Sequence, residues 1–195
     1  MQGRPRGFDS DQVLDAAMAL FWKQGYAGTG VADLEAATKL GRQSLYGAFG
    51  DKRALFGRVV DRYFEVVLRP YIIDVLDAPG SARANVERVI HSWEDAAAAP
   101  EFNGCLVGNS SSELGLHDPE MAELLRRKLE LLEAAFHRAL KRAQQAGEIR
   151  ATLDPRALAR SFLVTAQGLS IVCRVNRDRG FVRAVARDAL ARLDE

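Results

Sequence analysis

GYAGTGVADLEAATKLGRQSLYGAFGDKRALF, residues 25–56, reads as two short helices, a turn and the start of a third helix. Val31, Leu34 and Ala37 are spaced for one helix face, and Leu45, Phe49, Leu55 and Phe56 continue the apolar set. Between them, Thr38-Lys39-Leu40-Gly41 is long enough to turn the chain. After the turn come Arg42, Gln43 and Ser44, then Leu45 and Tyr46. Arg and Gln read base edges through paired hydrogen bonds, and Ser and Tyr reach phosphates. From these residues alone two readings stand: a helix-turn-helix whose second helix enters the major groove, or a small helical hairpin at the edge of a helical domain.

The whole chain bounds the choice. Its 195 residues, 48% hydrophobic and 27% charged, form a core of ordinary globular composition. The formal net charge is +1. Over residues 1–52, Arg4, Arg6, Lys23, Lys39, Arg42 and Lys52 balance Asp9, Asp11, Asp15, Asp33, Glu35 and Asp51. Any nucleic-acid argument therefore rests on the placement of charges and not on their sum. There is no run of about 18 apolar residues and so no expected membrane span. The N-terminus lacks the apolar stretch of a secretory signal. Two cysteines, Cys105 and Cys173, are too few for a disulfide scaffold, and a cytoplasmic location is expected.

Helix signals fill the rest of the chain. Asp9 and Gln12 suit a capping box, Phe8 and Val13 a hydrophobic staple, and Gly25 a helix stop. Asp51 opens a fourth helix that Pro70 is expected to kink or break. Ser81 starts the next helix, which runs to about Ala98, and a short one follows from Cys105 to about Leu114. Asp118-Pro119 and Asp154-Pro155 are helix starts, and Gly147 is a stop. The stretch Ser161–Cys173 is so apolar that burial on most sides is expected, and Phe181 to Leu193 reads as the last helix. No strand is evident, so the fold class is all-α.

Residues of roughly 8–58 closely resemble the N-terminal DNA-binding domain of the TetR family of bacterial transcriptional regulators. The shared features are Ala17 with Leu20-Phe21, the Gly25-Tyr26 turn, Thr29, Asp33-Leu34, Leu45-Tyr46, Phe49, Asp51-Lys52 and Leu55-Phe56. The chain departs from the family pattern at Gly30 and Gly41, where a capping hydroxyl is common. It also departs at Lys39, for a turn glycine, and at Gly47-Ala48, for a His pair. The resemblance implies a three-helix helix-turn-helix domain at 1–50 with an N-terminal arm at 1–7, then a helical ligand-binding and dimerisation domain at 51–195, about nine helices in all. It also implies a homodimeric repressor of a pseudo-palindromic double-stranded operator, with the helices of 155–175 and 181–193 pairing across the two-fold axis. A small-molecule inducer would change the spacing of the two reading heads. Leu169 and Val185 are expected on the pairing face. The alternative class is a helical interaction protein without specific DNA binding.

Expected base contacts are Arg42 and Gln43; expected phosphate contacts are Thr29, Ser44, Tyr46 and Lys52. Gly3-Arg4-Pro5-Arg6 resembles an AT-hook peptide, so Arg4 and Arg6 suit a narrow minor groove; a plain solubilising tail is the other reading. No phosphate-cradling glycine loop, metal-ligand spacing or nucleophile-base set is present, so neither an enzyme nor a cofactor is expected. Asn109, Gln167 and Ser170 interrupt apolar faces and imply internal hydrogen bonds or a ligand pocket. Tyr63, Trp93 and Phe136 are either core or ligand wall. Cys105 stands at a helix start, where amides and the helix dipole favour thiolate. Gly104 and Gly108 beside it leave room for a small reagent. Its Gly-Cys-Leu setting resembles a TetR branch whose cysteine responds to oxidants or electrophiles, and core packing is the alternative. Cys173 is expected to be inert.

Overall fold

The computed structural model describes residues 8–194, and helices are the regular structure throughout. They are α1 (Ser10–Gly28), α2 (Val31–Thr38), α3 (Arg42–Phe49), α4 (Lys52–Tyr63), a π-helix (Phe64–Ile73), α5 (Asp74–Asp77), α6 (Ala82–Ala98), α7 (Leu106–Leu114), α8 (Pro119–Gln145), α9 (Pro155–Val172) and α10 (Arg179–Ala191). The winding is unbroken from Lys52 to Asp77. With that run counted once, the described residues form nine helices, as the resemblance implies. The chain divides into two compact units between Phe64 and Glu65. The sequence boundary after residue 50 instead marks where α4 begins.

In the first unit α1 packs on α2 and α4, and α3 packs on α4. Asp9 accepts the Asp11 amide at 2.9 Å, and Gly25, at φ 79°, interrupts the helix where a stop is expected. Phe21, Leu34, Leu45, Leu55 and Phe56 are fully buried; each such side chain contributes about 1.5–3 kcal/mol. Phe21 meets Phe56 edge-on with ring centroids 4.9 Å apart, and Trp22 meets Tyr63 in the same way at 4.9 Å. Arg62 clasps α1 to α4. Its Nε and Nη2 donate to the two oxygens of Asp15 at 2.9 and 3.0 Å, and Nη1 donates to Asp11 at 2.9 Å.

The glycines that replace capping hydroxyls are compensated from nearby. At Gly30 the side chain of Asp33 reaches back and accepts the Gly30 amide at 2.8 Å, the inner half of a capping box. At Gly41 the substitute comes from the preceding helix: Glu35 Oε1 accepts the Arg42 amide at 2.5 Å. Lys39 takes the left-handed turn itself, at φ 58°.

In the second unit α8 packs along α9, α6 lies against α8 and α10, and α7 touches α8 and α9. The expected helix starts are present: Ser81 accepts the Ala84 amide at 3.0 Å, and Asp118 accepts the Met121 amide at 3.0 Å. After α8, Gly147 (φ 73°) donates to Gln144 O and Glu148 donates to Ala143 O, a Schellman closure. Of the kink or break expected at Pro70, the break does not occur, because the chain rewinds to π spacing around it and thereby accommodates a ring that clashes with the carbonyl four residues back in an α-helix. Nor is α9 buried on most sides. Val164 is 70% exposed and Ile171 46%, with Val175 just beyond the helix at 90%. Leu169, by contrast, sits in an internal cluster with Ala97, Cys173 and Val182, against which Trp93, Phe102 and Val185 pack. At about 3.6 residues per turn Ile171 and Val164 lie nearly opposite Leu169, so the apolar open face is on the other side of α9 from the one expected, since neighbouring helices cover only one side.

Candidate functional site

Helix α3 is fixed from below and open above. Leu45 and Phe49 are buried, whereas Arg42, Gln43 and Ser44 are exposed in succession and Tyr46 is half-buried. The Arg42 guanidinium lies 5.6 Å from the Tyr46 ring centroid, which steadies it over the helix. A side chain at Gly47 would meet nothing within 4 Å, so the next turn stays open to a close approach. Four of the expected contacts thus share one short helix.

The other expected contacts have different settings. Lys52, in the first turn of α4, places Nζ 4.4 Å from the Tyr26 ring centroid. Thr29 precedes the Gly30 cap of α2 and is fully buried. Its hydroxyl donates to Gly25 O at 2.7 Å and its amide to Tyr26 O, satisfying carbonyls left by the break at Gly25. Both Thr29 donors point inward, onto the chain's own backbone carbonyls. Arg4 and Arg6 lie outside the described residues.

In the second unit Cys105 is the N-cap of α7, as its helix-start position implies, and is 2% exposed. Gln167, from α9, donates Nε2 to Cys105 Sγ at 3.9 Å. Asn109 Nδ2 donates to Asn103 O at 2.8 Å, and Ser170 Oγ donates to Gln167 O at 2.8 Å. Asn109 Oδ1 and Gln167 Oε1 are sealed from solvent without a hydrogen-bond partner. The room expected beside Gly104 and Gly108 is filled. A methyl at Gly108 would lie 2.3 Å from Gln167 Oε1, and one at Gly104 would lie 2.6 Å from Ser170 O. These contacts join residues about sixty positions apart, so no local signal in the sequence could reveal them.

Cys105, Asn109 and Gln167 therefore come together, and each aromatic candidate packs on an aromatic ring of its own unit. Trp93 packs edge-on against Phe102, with centroids 6.2 Å apart. Phe136 stacks on Phe162 at 5.9 Å, and Tyr63 lies in the first unit against Trp22. Cys173 is fully buried, and burial pushes its thiol pKa up, away from reactive thiolate. Among the described residues no three His, Cys, Asp or Glu side chains are grouped to hold a metal, and no helix is long and apolar enough to cross a membrane.

Comparison with known proteins agrees with this geometry. Residues 13–59 match the bacterial regulatory proteins of the tetR family, and residues 80–189 match the tetracyclin repressor-like C-terminal domain. The HTH-type transcriptional regulator YezE of Bacillus subtilis (strain 168) is 35% identical over 90% of this chain and 91% of its own length. The HTH-type transcriptional repressor ComR of Escherichia coli (strain K12) is 32% identical over 89% of this chain and 83% of its own. Among solved structures, a cysteine-substituted CifR, a TetR family regulator complexed with double-strand operator DNA, is 31% identical. It superposes with a TM-score of 0.85 over 96% of this chain and 98% of that one. Helix-turn-helix, helical second unit and whole-length relatives agree: the chain belongs to the TetR family of bacterial transcriptional regulators, and is a regulator rather than an enzyme.

Proposed function

We propose that this protein is a cytoplasmic homodimeric repressor that binds a pseudo-palindromic operator through α3 and leaves it when the second unit is occupied or modified. The observation that carries the reading is the exposed run Arg42-Gln43-Ser44 on a helix anchored by Leu45 and Phe49. Arg42 and Gln43 read base edges in the major groove; Ser44, Tyr46 and Lys52 hold phosphates and set the register. Arg4 and Arg6 follow the adjacent minor groove. Residues 1–50 form the reading part and 51–195 the regulatory and dimerising part. A salt-dependent shift assay on the DNA flanking its own gene, with gel filtration, tests the reading; a monomer that binds this DNA no better than unrelated sequence would refute it.

Lys52 separates a phosphate role from a packing role. Lys52→Ala is expected to weaken all DNA sequences alike and to flatten the salt dependence by about one counterion per subunit. Loss of the contact with Tyr26 should also cost about 0.5–1 kcal/mol of stability in urea titration. An unchanged salt slope would leave Lys52 with the packing role alone.

In the second unit, Cys105 is the thiol through which an electrophile or oxidant releases the operator, with Asn109 and Gln167 as its polar surroundings; Tyr63, Trp93 and Phe136 serve packing. Under hypochlorite or N-ethylmaleimide, wild type should release its operator and Cys105→Ser should keep it. Equal behaviour of the two proteins would make Cys105 a packing residue and the inducer a non-covalent ligand.

A further inference from the structure

Helix α7 and the residue before its cap offer α9 two bare backbone positions one turn apart, Gly104 and Gly108. Gln167 Oε1 lies 2.3 Å, and Ser170 Oγ 3.6 Å, from where a methyl at Gly108 would be. The Gln167 amide thus occupies the space of the missing side chain. From this slot Nε2 reaches Cys105 Sγ at 3.9 Å, while Oε1 is sealed off with no donor. An acceptor buried in this way is disfavoured and regains a water hydrogen bond when the side chain swings out. That gain offsets part of the cost of expelling Gln167 from its seat. Cys105 is itself 2% exposed, so any group added to its sulfur needs volume. Gln167 is a long, flexible side chain in contact with that sulfur.

We infer that Gln167 is the positioning residue that couples Cys105 to α9: an adduct on Sγ expels the Gln167 amide from the slot over Gly108 and shifts the helix whose open face carries Val164 and Ile171. The inference rests on the reading of Cys105 as the thiol that controls operator release. With an α,β-unsaturated carbonyl, the sulfur bonds to the β-carbon and the C=C pair moves to the α-carbon. That carbon takes up the proton the thiol gave up, and nothing leaves. The product adds bulk without charge, so the signal is the loss of the slot. A side chain at position 108 should reproduce that signal without any reagent.

The test uses the full chain, its operator and N-ethylmaleimide. Gly108→Ala, untreated, is expected to weaken operator binding roughly tenfold, although Ala is the better helix former. Adding Gln167→Ala empties the slot and should return affinity to within about threefold of wild type, a coupling that independent sites do not show. Gln167→Ala alone should still be alkylated at Cys105, read as the mass of that peptide, yet keep its operator. Operator affinity unchanged in Gly108→Ala, or no recovery in the folded double variant, would overturn the inference. Should Gly108→Ala fail to fold, alkylated Gln167→Ala decides: release equal to that of alkylated wild type overturns it, and retention supports it. Alkylated wild type that holds its operator would instead overturn the Cys105 reading, and the coupling with it.

Discussion

Replacing Arg42 and Gln43 together by alanine is expected to abolish sequence-specific operator binding while the fold and residual, salt-sensitive DNA binding survive. Each side chain that reads a base edge through two hydrogen bonds discriminates by about 1–3 kcal/mol, so losing both removes about 2–6 kcal/mol of specificity at each half-site. Both side chains are exposed, and the Arg42 amide that Glu35 accepts is retained in alanine. Little stability is therefore lost beyond the Arg42–Tyr46 contact. The phosphate contacts proposed for Ser44, Tyr46 and Lys52 would be untouched, which would leave the sequence-independent part of binding in place. The measurement is a shift assay comparing the operator with a scrambled duplex at two salt concentrations. A double variant that still prefers the operator would remove α3 from the reading role.

The second large effect is expected at the open face of α9. In an isologous interface the same patch comes from both subunits, so Ile171→Glu with Val175→Glu brings four carboxylates onto a surface that is apolar in wild type. The pair should split the dimer. It should also lower operator affinity by about two to four orders of magnitude, because two linked reading heads become two separate ones. Sedimentation velocity gives the mass, and circular dichroism shows whether helicity is kept. A dimeric mass with native helicity would show that this face is not the interface. The same change at Leu169 tests something else: Leu169 is 3% exposed and lies among Ala97, Cys173 and Val182, so a charge there attacks the subunit's own core.

That difference shows where the sequence is legible and where it is not. Ser81, Asp118-Pro119, Asp154-Pro155 and Gly147 act within one helical turn, so the helix ends they mark are found where local chemistry puts them. Arg42, Gln43 and Ser44 were equally readable, since Leu45 and Phe49 fix the inner face of α3 and leave them no other side. Along Leu169-Ser170-Ile171-Val172 the helix carries small and apolar residues all around, and periodicity cannot choose a face. Only the packing of α8, α6, α7 and α10 decides that Leu169 turns in and Ile171 out. The seat of Gln167 over Gly108 and the inward turn of the Thr29 hydroxyl are equally products of tertiary packing or of backbone breaks.

The Glu35 carboxylate at the first amide of α3 bears on how the operator is found within a chromosome. A phosphate approaching the positive end of the reading helix meets an acid already seated there. Over residues 1–52 six cations are matched by six anions, so a random duplex meets less net attraction there than a strongly basic reader would give. Bulk genomic DNA competes with an operator through its vast number of weak sites. A reader that adheres poorly to those sites spends less of its copy number on them, so few molecules per cell suffice to keep one promoter occupied.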